Sequence, residues 1–343
     1  MMRLPLSWLL AFTTAALVLL LLGSLATGPM TLTLGESLRA LFAGQESGIE
    51  SHKLLIVQEI RLPRTLLCIA VGGILGLCGA VMQGLFRNPL ADPGIIGVSG
   101  GAALGAALAI VLLAPLGQQL QATIGVGLLP LLAFLGGALT TTLVYLLGTR
   151  EGGTSVTVML LAGVAITALS GAVIGLLTYL ADDQMLRNLS LWQMGTLAAG
   201  KPADVALALL TLAALLWLFM RDANPLNALL LGEGEASHLG VNVQSLKRRL
   251  ILLTAAGVGV AVAVSGMIGF VGLVVPHLVR LLAGPNHVRL LPLSALLGAA
   301  LLLAADMLAR TLLAPAELPV GIITALLGAP FFIWLLVKGR RAL

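Results

Sequence analysis

The chain has 343 residues, 59% of them apolar and 10% charged, with a formal net charge of +5. A soluble domain carries roughly 25% charged residues, so this surface is built for hydrocarbon, and no polar stretch is long enough to make a second, soluble domain. A positive excess in such a chain belongs to membrane-flanking loops and does not point to nucleic acid. The chain therefore reads as an all-α, polytopic membrane protein forming one transmembrane domain over residues 1–343.

Runs of about 20 mostly apolar residues, the length a span requires, predict ten spans in chain order: 5–26, 62–85, 94–114, 124–147, 155–180, 204–220, 247–266, 268–283, 291–313 and 319–337. The first is long for a signal-peptide core and lacks a clear small-x-small cleavage site behind it, so it reads as a span. Residues 27–60 then form a loop in which Thr33 to Phe42 is amphipathic enough for a short surface helix. The second span carries both cysteines, Cys68 and Cys78; ten residues of helix separate them by roughly 15 Å, too far for a disulfide. Glycine is abundant, 41 residues in all, and recurs at four-residue spacing in Gly72-x-x-x-Gly76 and Gly97-x-x-x-Gly101-x-x-x-Gly105. Small residues so spaced let helix backbones approach closely in lipid. Residues 181–203 read as a second loop, and 221–249 as the longest polar one. The seventh and eighth spans nearly run together, with the turn predicted at Ser265 to Gly269.

Ten spans place both termini on one side. With that side cytoplasmic, twelve of the 19 basic residues fall inside and seven outside, the latter being Arg39, Lys53, Arg61, Arg64, Arg187, Lys201 and Arg310. The positive-inside rule favours this orientation.

Few motifs carry chemistry. The phosphate-binding loop G-x-x-x-x-G-K-[ST] is missing, as is H-E-x-x-H, so neither ATP hydrolysis by that route nor zinc-protease chemistry is encoded. Gly97-Val98-Ser99-Gly100-Gly101 matches the letters of a serine-hydrolase elbow, with His277 as its nominal base, although helix packing accounts for the same small residues. Arg61 and Arg64 open the second span, either as interfacial anchors or as a docking patch for an acidic partner. Asp306 and Arg310 lie four residues apart in the ninth span, where an ionisable residue is by default a functional candidate, the plainer reading being a mutual ion pair. In the long polar loop, Glu233 to Gly240 reads as a short helix ended by glycine.

Taken together, RLPR (61–64), GAVMQGLFRNPLADPGIIGVSGG (79–101), LLGEGEASHLGVNV (230–243), SGMIGFVGLVVPHLVRLL (265–282) and LPVGIITALLGAPFFIWLL (318–336) resemble the FecCD family, the permease subunits of type II ABC importers for haem, ferric siderophores and cobalamin. The resemblance implies ten spans with both termini cytoplasmic in a bacterial inner membrane. It also implies a pathway between two copies of the chain, two ATP-binding subunits below and a periplasmic substrate-binding protein above. No cofactor is then expected on this chain, ATP being used by the partner subunit. It casts residues 230–243 as the coupling segment, with Glu233, Glu235, Ala236 and Gly240 at its contact with the ATPase, and Arg61, Arg64 and Arg310 as the arginines that meet glutamates of the binding protein. The stretch from Leu186 to Thr196 looks most like the haem permeases. There Arg187, Trp192 and Met194 stand as candidate pathway residues, one Arg187 from each copy facing a propionate. Ferric siderophore and cobalamin remain the alternative ligands. An ion-coupled secondary transporter and the intramembrane protease are the competing classes.

Overall fold

Residues 5–42, 50–114, 127–150, 153–198 and 200–340 are described by the structure, a computed structural model. The start of the predicted fourth span, 124–126, lies outside them, as do Arg3 and Arg341. In chain order the helices are α1 (Leu6–Ala26), α2 (Leu34–Phe42), α3 (Ser51–Leu55), a π-helical turn (Ile56–Arg61) running into α4 (Leu62–Leu85), a 3₁₀ turn (Pro93–Ile96), α5 (Val98–Val111), α6 (Leu128–Gly148), α7 (Val156–Leu180), α8 (Asp183–Gln193), α9 (Pro202–Arg221), α10 (Ala223–Leu229), α11 (Glu233–His238), α12 (Val243–Ser265), α13 (Val271–Ala283), α14 (His287–Ala309) and α15 (Val320–Arg340). A two-residue hairpin, Thr149–Arg150 against Gly153–Thr154, joins α6 to α7.

Among the described residues, seven helices are long and apolar enough to cross a membrane, and three more are apolar but shorter: α5, α13 and the Val320–Leu335 part of α15. All ten predicted spans therefore return as apolar helices, with a correction to the third and eighth. At 14 and 13 residues α5 and α13 rise only about 20 Å, short of the roughly 30 Å of a hydrocarbon core. Both start late because the chain breaks just before them. Gly97 has φ 84° ahead of α5, and Gly266 (69°) and Phe270 (67°) precede α13. Irregular backbone at membrane depth is tolerated only where protein covers it; before α5 the Gly97 carbonyl accepts from Thr140 Oγ1 at 2.8 Å, and around α13 neighbouring helix ends bridge one another. The Thr196 N–H donates to Ser265 O at 2.8 Å, and the Gly321 N–H to Met194 O at 3.1 Å.

Helix α4 is the axis of the bundle, buried along nearly its whole length and packed by α14, α9, α13 and α12. Its small residues explain why. A Cβ on Gly72 would sit 2.4 Å from Gly298 O, and one on Gly76 would sit 2.3 Å from Ser294 O, so α4 and α14 touch backbone to backbone. Gly101 and Gly105 let α5 meet α6 in the same way, at Gly136 O and Leu132 O. Gly97, which the spacing grouped with them, instead supplies the left-handed residue that starts α5. Large apolar side chains point outward from the peripheral helices, among them Phe12, Leu139, Leu161, Leu176 and Leu210, where lipid is their solvent.

The predicted surface helix is α2. Thr33 and Glu36 cap it reciprocally, the Glu36 N–H donating to Thr33 Oγ1 and the Thr33 N–H to Glu36 Oε2, a capping box. Lys53 reaches back from α3 to Glu36 at 2.9 Å. That hydrogen bond, with those from Thr33, holds the Glu36 carboxyl at about 2.

Candidate functional sites at the two ends of the bundle

One end carries the arginine cluster. Asp306 is fully buried, and Arg64 grips it with Nε at 2.9 Å and Nη2 at 2.8 Å, both to Oδ1, while Nη1 reaches Glu317 Oε2 at 2.6 Å. Arg310, 2% exposed, lies 3.4 Å from Asp306 Oδ2 through Nε, and its Nη groups donate to Ser24 Oγ and Thr27 O. Arg61 donates to Leu25 O, Ala26 O and Met30 O, satisfying carbonyls that α1 leaves open at its C-terminus. The three arginines predicted as an outer patch are thus brought together, with their guanidiniums turned inward onto α1, α14 and the segment that precedes α15. Three guanidiniums against two carboxylates leave the cluster one positive charge in excess. The i,i+4 pair Asp306–Arg310 is present as the longer contact; the dominant partner of Asp306 is Arg64. Glu317 and Ser24 were not singled out by the sequence. Glu317 stood as a lone carboxylate between two apolar spans, which was the available signal.

Next to this cluster three broken helices meet. Cβ atoms added at Gly195, Gly266 and Gly321 would stand 2.5, 2.3 and 2.2 Å from Met267 O, Trp192 O and Met194 O. Residues 181–203, read from sequence as a loop, contain the helix α8, whose N-cap Asp182 accepts the Met185 N–H. Its amphipathic pattern separates the predicted pathway residues. Arg187 is exposed, Trp192 is buried in the core, and Met194 is the C-cap whose carbonyl holds Gly321. Arg187 therefore does not share a face with Trp192.

The opposite end carries the polar segment. Helix α11 is closed by Gly240, φ 84°, with the Gly240 N–H on Ser237 O and the Val241 N–H on Ala236 O, the Schellman pattern expected from its place in the sequence. Ala236 is buried and Glu235 exposed. Glu233 is held by Lys247 at 2.6 Å, and Arg249 of α12 is paired with Asp222 at the end of α9. An open, roughly 580 Å³ groove runs along Glu233, Ser237, Gly240 and Asn242. Since a Cβ at Gly240 would meet nothing within 4 Å, Gly240→Val acts through its backbone conformation alone. Such a residue in the left-handed region costs about 1–3 kcal/mol. We expect α11 to lose its cap while the rest of the bundle melts as before, which hydrogen exchange at residues 233–241 would show; unchanged protection there would mean that the cap does not hold α11.

The nominal hydrolase pair finds no support. Both ring nitrogens of His277 lack a hydrogen-bond partner among the described residues, and the ring lies edge-on to Phe331 at 6.3 Å, so His277 is not placed as a base for Ser99. Asp306, the one carboxylate that ion coupling would require in a span, is already enclosed by two arginines.

Interrupted apolar helices around a buried backbone junction, with a capped polar segment at one end, are the build of a membrane permease. The chain belongs to the FecCD transport family, whose profile matches residues 16–338. It is 47% identical to the hemin transport system permease protein HmuU of Yersinia pestis, over 97% of this chain and 96% of that one. It is 44% identical to the cobalamin import system permease protein BtuC of Halobacterium salinarum, over 87% and 77%, and 43% identical to the vitamin B12 import system permease protein BtuC of Vibrio cholerae, over 83% of each. A solved metal-chelate type ABC transporter in an inward-facing conformation superposes with a TM-score of 0.82 at 34% identity, covering 97% of this chain and 99% of that one. PsaBC from Streptococcus pneumoniae shares the fold at 19% identity and a TM-score of 0.58, over 81% and 91%. This chain is accordingly a permease subunit of an ABC importer of the FecCD type, a transport component and not an enzyme.

Proposed function

We propose that this permease carries haem from a periplasmic binding protein into the cytoplasm, as a homodimer in a bacterial inner membrane with both termini cytoplasmic. ATP is used by two partner subunits that seat on α11, and no cofactor is held by this chain. The observation that carries the ligand assignment is the 47% identity to a hemin permease along nearly the whole chain. The exposed Arg187 adds a physical reason. Set on α8 beside the helix junction, one from each copy would face the two propionates of haem, and guanidinium binds carboxylate through two parallel hydrogen bonds. Trp192 and Met194 act there through the backbone junction and not as side chains on the pathway. Cobalamin is the second reading, favoured by relatives at 43–44% identity that carry it in their names; a ferric siderophore is the third.

Docking of the binding protein belongs to the arginine end. Arg61, Arg64 and Arg310 give that end its positive excess, and Glu317, 35% exposed on its side chain, occupies the place on Arg64 that an incoming carboxylate would take. The binding protein's glutamates would then exchange with Glu317.

Uptake into proteoliposomes containing the whole importer tests the ligand. Haem should enter in preference to cyanocobalamin and a ferric hydroxamate, and Arg187→Ala should slow haem entry by about tenfold, the worth of one charge-assisted hydrogen bond, with basal ATP hydrolysis unchanged. Arg187→Lys should rescue only in part, because an ammonium lacks the planar fork. Wild-type haem uptake by Arg187→Ala would remove the gate, and preferential uptake of cyanocobalamin would replace the ligand.

A further inference from the structure

Lys247 is 2% exposed, yet it sits in the second turn of α12 at the polar end of the bundle, where a lysine has water within easy reach of its flexible stem. Burying an ammonium is costly unless partners replace its hydration. Its partners here come from two different elements. Nζ donates to Glu233 Oε1 of α11 at 2.6 Å and to Thr154 O of the hairpin at 3.0 Å. Gln244, one turn earlier, accepts the Thr154 N–H at 3.0 Å, and the Cβ of any residue replacing Gly153 would fall 2.5 Å from Gln244 Nε2. The hairpin strand is thus gripped at both its N–H and its C=O by successive turns of α12. Thr154 leads directly into Ser155, the N-cap of α7.

We propose that Lys247 is the link that passes movement of α11 to α7. The elements on either side are each held to it by one hydrogen bond: α11 through the Glu233 carboxylate, α7 through the carbonyl of Thr154, the residue before its N-cap. Helix α7 has 25 residues and spans roughly 37 Å, so a displacement at Thr154 is delivered as a rigid-body motion to its far end, where Ala181 and Asp182 start α8 with Arg187. Lys247 is a positioning residue in this scheme. It touches neither nucleotide nor ligand. The inference rests on the reading that α11 seats on an ATPase.

Spin labels test it in the assembled importer in proteoliposomes, with Ser237→Cys reporting α11 and Thr157→Cys reporting the start of α7, both in a background lacking Cys68 and Cys78. In the wild type, trapping with ATP and vanadate should shift the distance from each label to its counterpart in the second copy. With Lys247→Met, which removes both hydrogen bonds of the ammonium, the Ser237 shift should persist, the Thr157 shift should be lost, and ATP should be hydrolysed with at least about tenfold less transport per ATP. Glu233→Gln, which keeps the buried lysine, should give the same pattern more weakly, and adding it to Lys247→Met should change nothing more. An undiminished Thr157 shift in both variants overturns the link while leaving the α11 seat intact. A wild-type Ser237 label that ignores nucleotide overturns the seat itself, and the link with it.

Discussion

Asp306→Ala is expected to cost about 3–5 kcal/mol, the penalty for breaking a buried ion pair and stranding the surviving charge. Arg64 and Arg310, 7% and 2% exposed on their side chains, would both lose the buried carboxylate they share. Neither can turn to water easily, because Arg310 is fixed to Ser24 and Thr27 of the first helix and Arg64 to Glu317. The loss should appear as a large fall in the thermal midpoint of the detergent-solubilised protein. It should not depend on ionic strength, since screening over 8–10 Å acts on exposed charges and far less on buried ones. Asp306→Asn should cost less, because the amide oxygen still accepts one of the guanidinium bonds. Combining Arg64→Leu with Asp306→Leu should recover part of the loss, a buried pair being replaceable by apolar side chains. A midpoint unchanged in Asp306→Ala would mean that the arginines find water, and the inward-turned cluster would be wrong.

Gly298→Val should be comparably severe for a different reason. The new Cβ would lie 2.3 Å from Gly72 O, and Gly72 in turn places its own missing Cβ 2.4 Å from Gly298 O. Both obstructions are backbone, so no rotamer change relieves them, and α14 must move away from α4 along the most buried contact of the bundle. Overpacking of this kind costs about 1–3 kcal/mol, occasionally more, and even Gly298→Ala should lower the thermal midpoint. Gly171→Ala is the control. It faces open space on α7, and alanine is the better helix former by up to about 1 kcal/mol, so its midpoint should hold or rise. Equal behaviour of the two alanine variants would show that α4 and α14 do not touch.

Much of the site could be read in part before any fold was available, and the limits are instructive. Arg61, Arg64 and Arg310 were picked as a set, and they do gather at one end. Their number and spacing gave no hint that they face inward, because the direction of a side chain depends on what packs against its helix. The Schellman cap at Gly240 was legible because its hydrogen bonds run between residues three to five apart. Lys247 was visible only as one more basic residue; its burial depends on Glu233 and Thr154, which come to it from separate elements. The loop assigned to 181–203 was a misreading of α8, whose amphipathic stretch is short and sits between apolar spans that dominate any average over 20 residues.

Composition and apolar run length by themselves determined that this chain lives in lipid, that it is helical, and roughly where each of its ten apolar helices lies, because hydrocarbon leaves the backbone no other way to satisfy its hydrogen bonds over such lengths. Spaced glycines marked the helix faces that meet, and the absent phosphate-binding loop excluded ATP hydrolysis by that route on this chain. Only the tertiary structure decided that the third and eighth helices start late, that the ends of α8, α12 and α15 meet through Met194, Ser265 and Gly321, and that Asp306 belongs chiefly to Arg64, 242 residues away, and less to the neighbour four residues on. A helical repeat acts over a few residues, and a carboxylate in a dry interior takes whichever cation the packing of distant helices brings nearest.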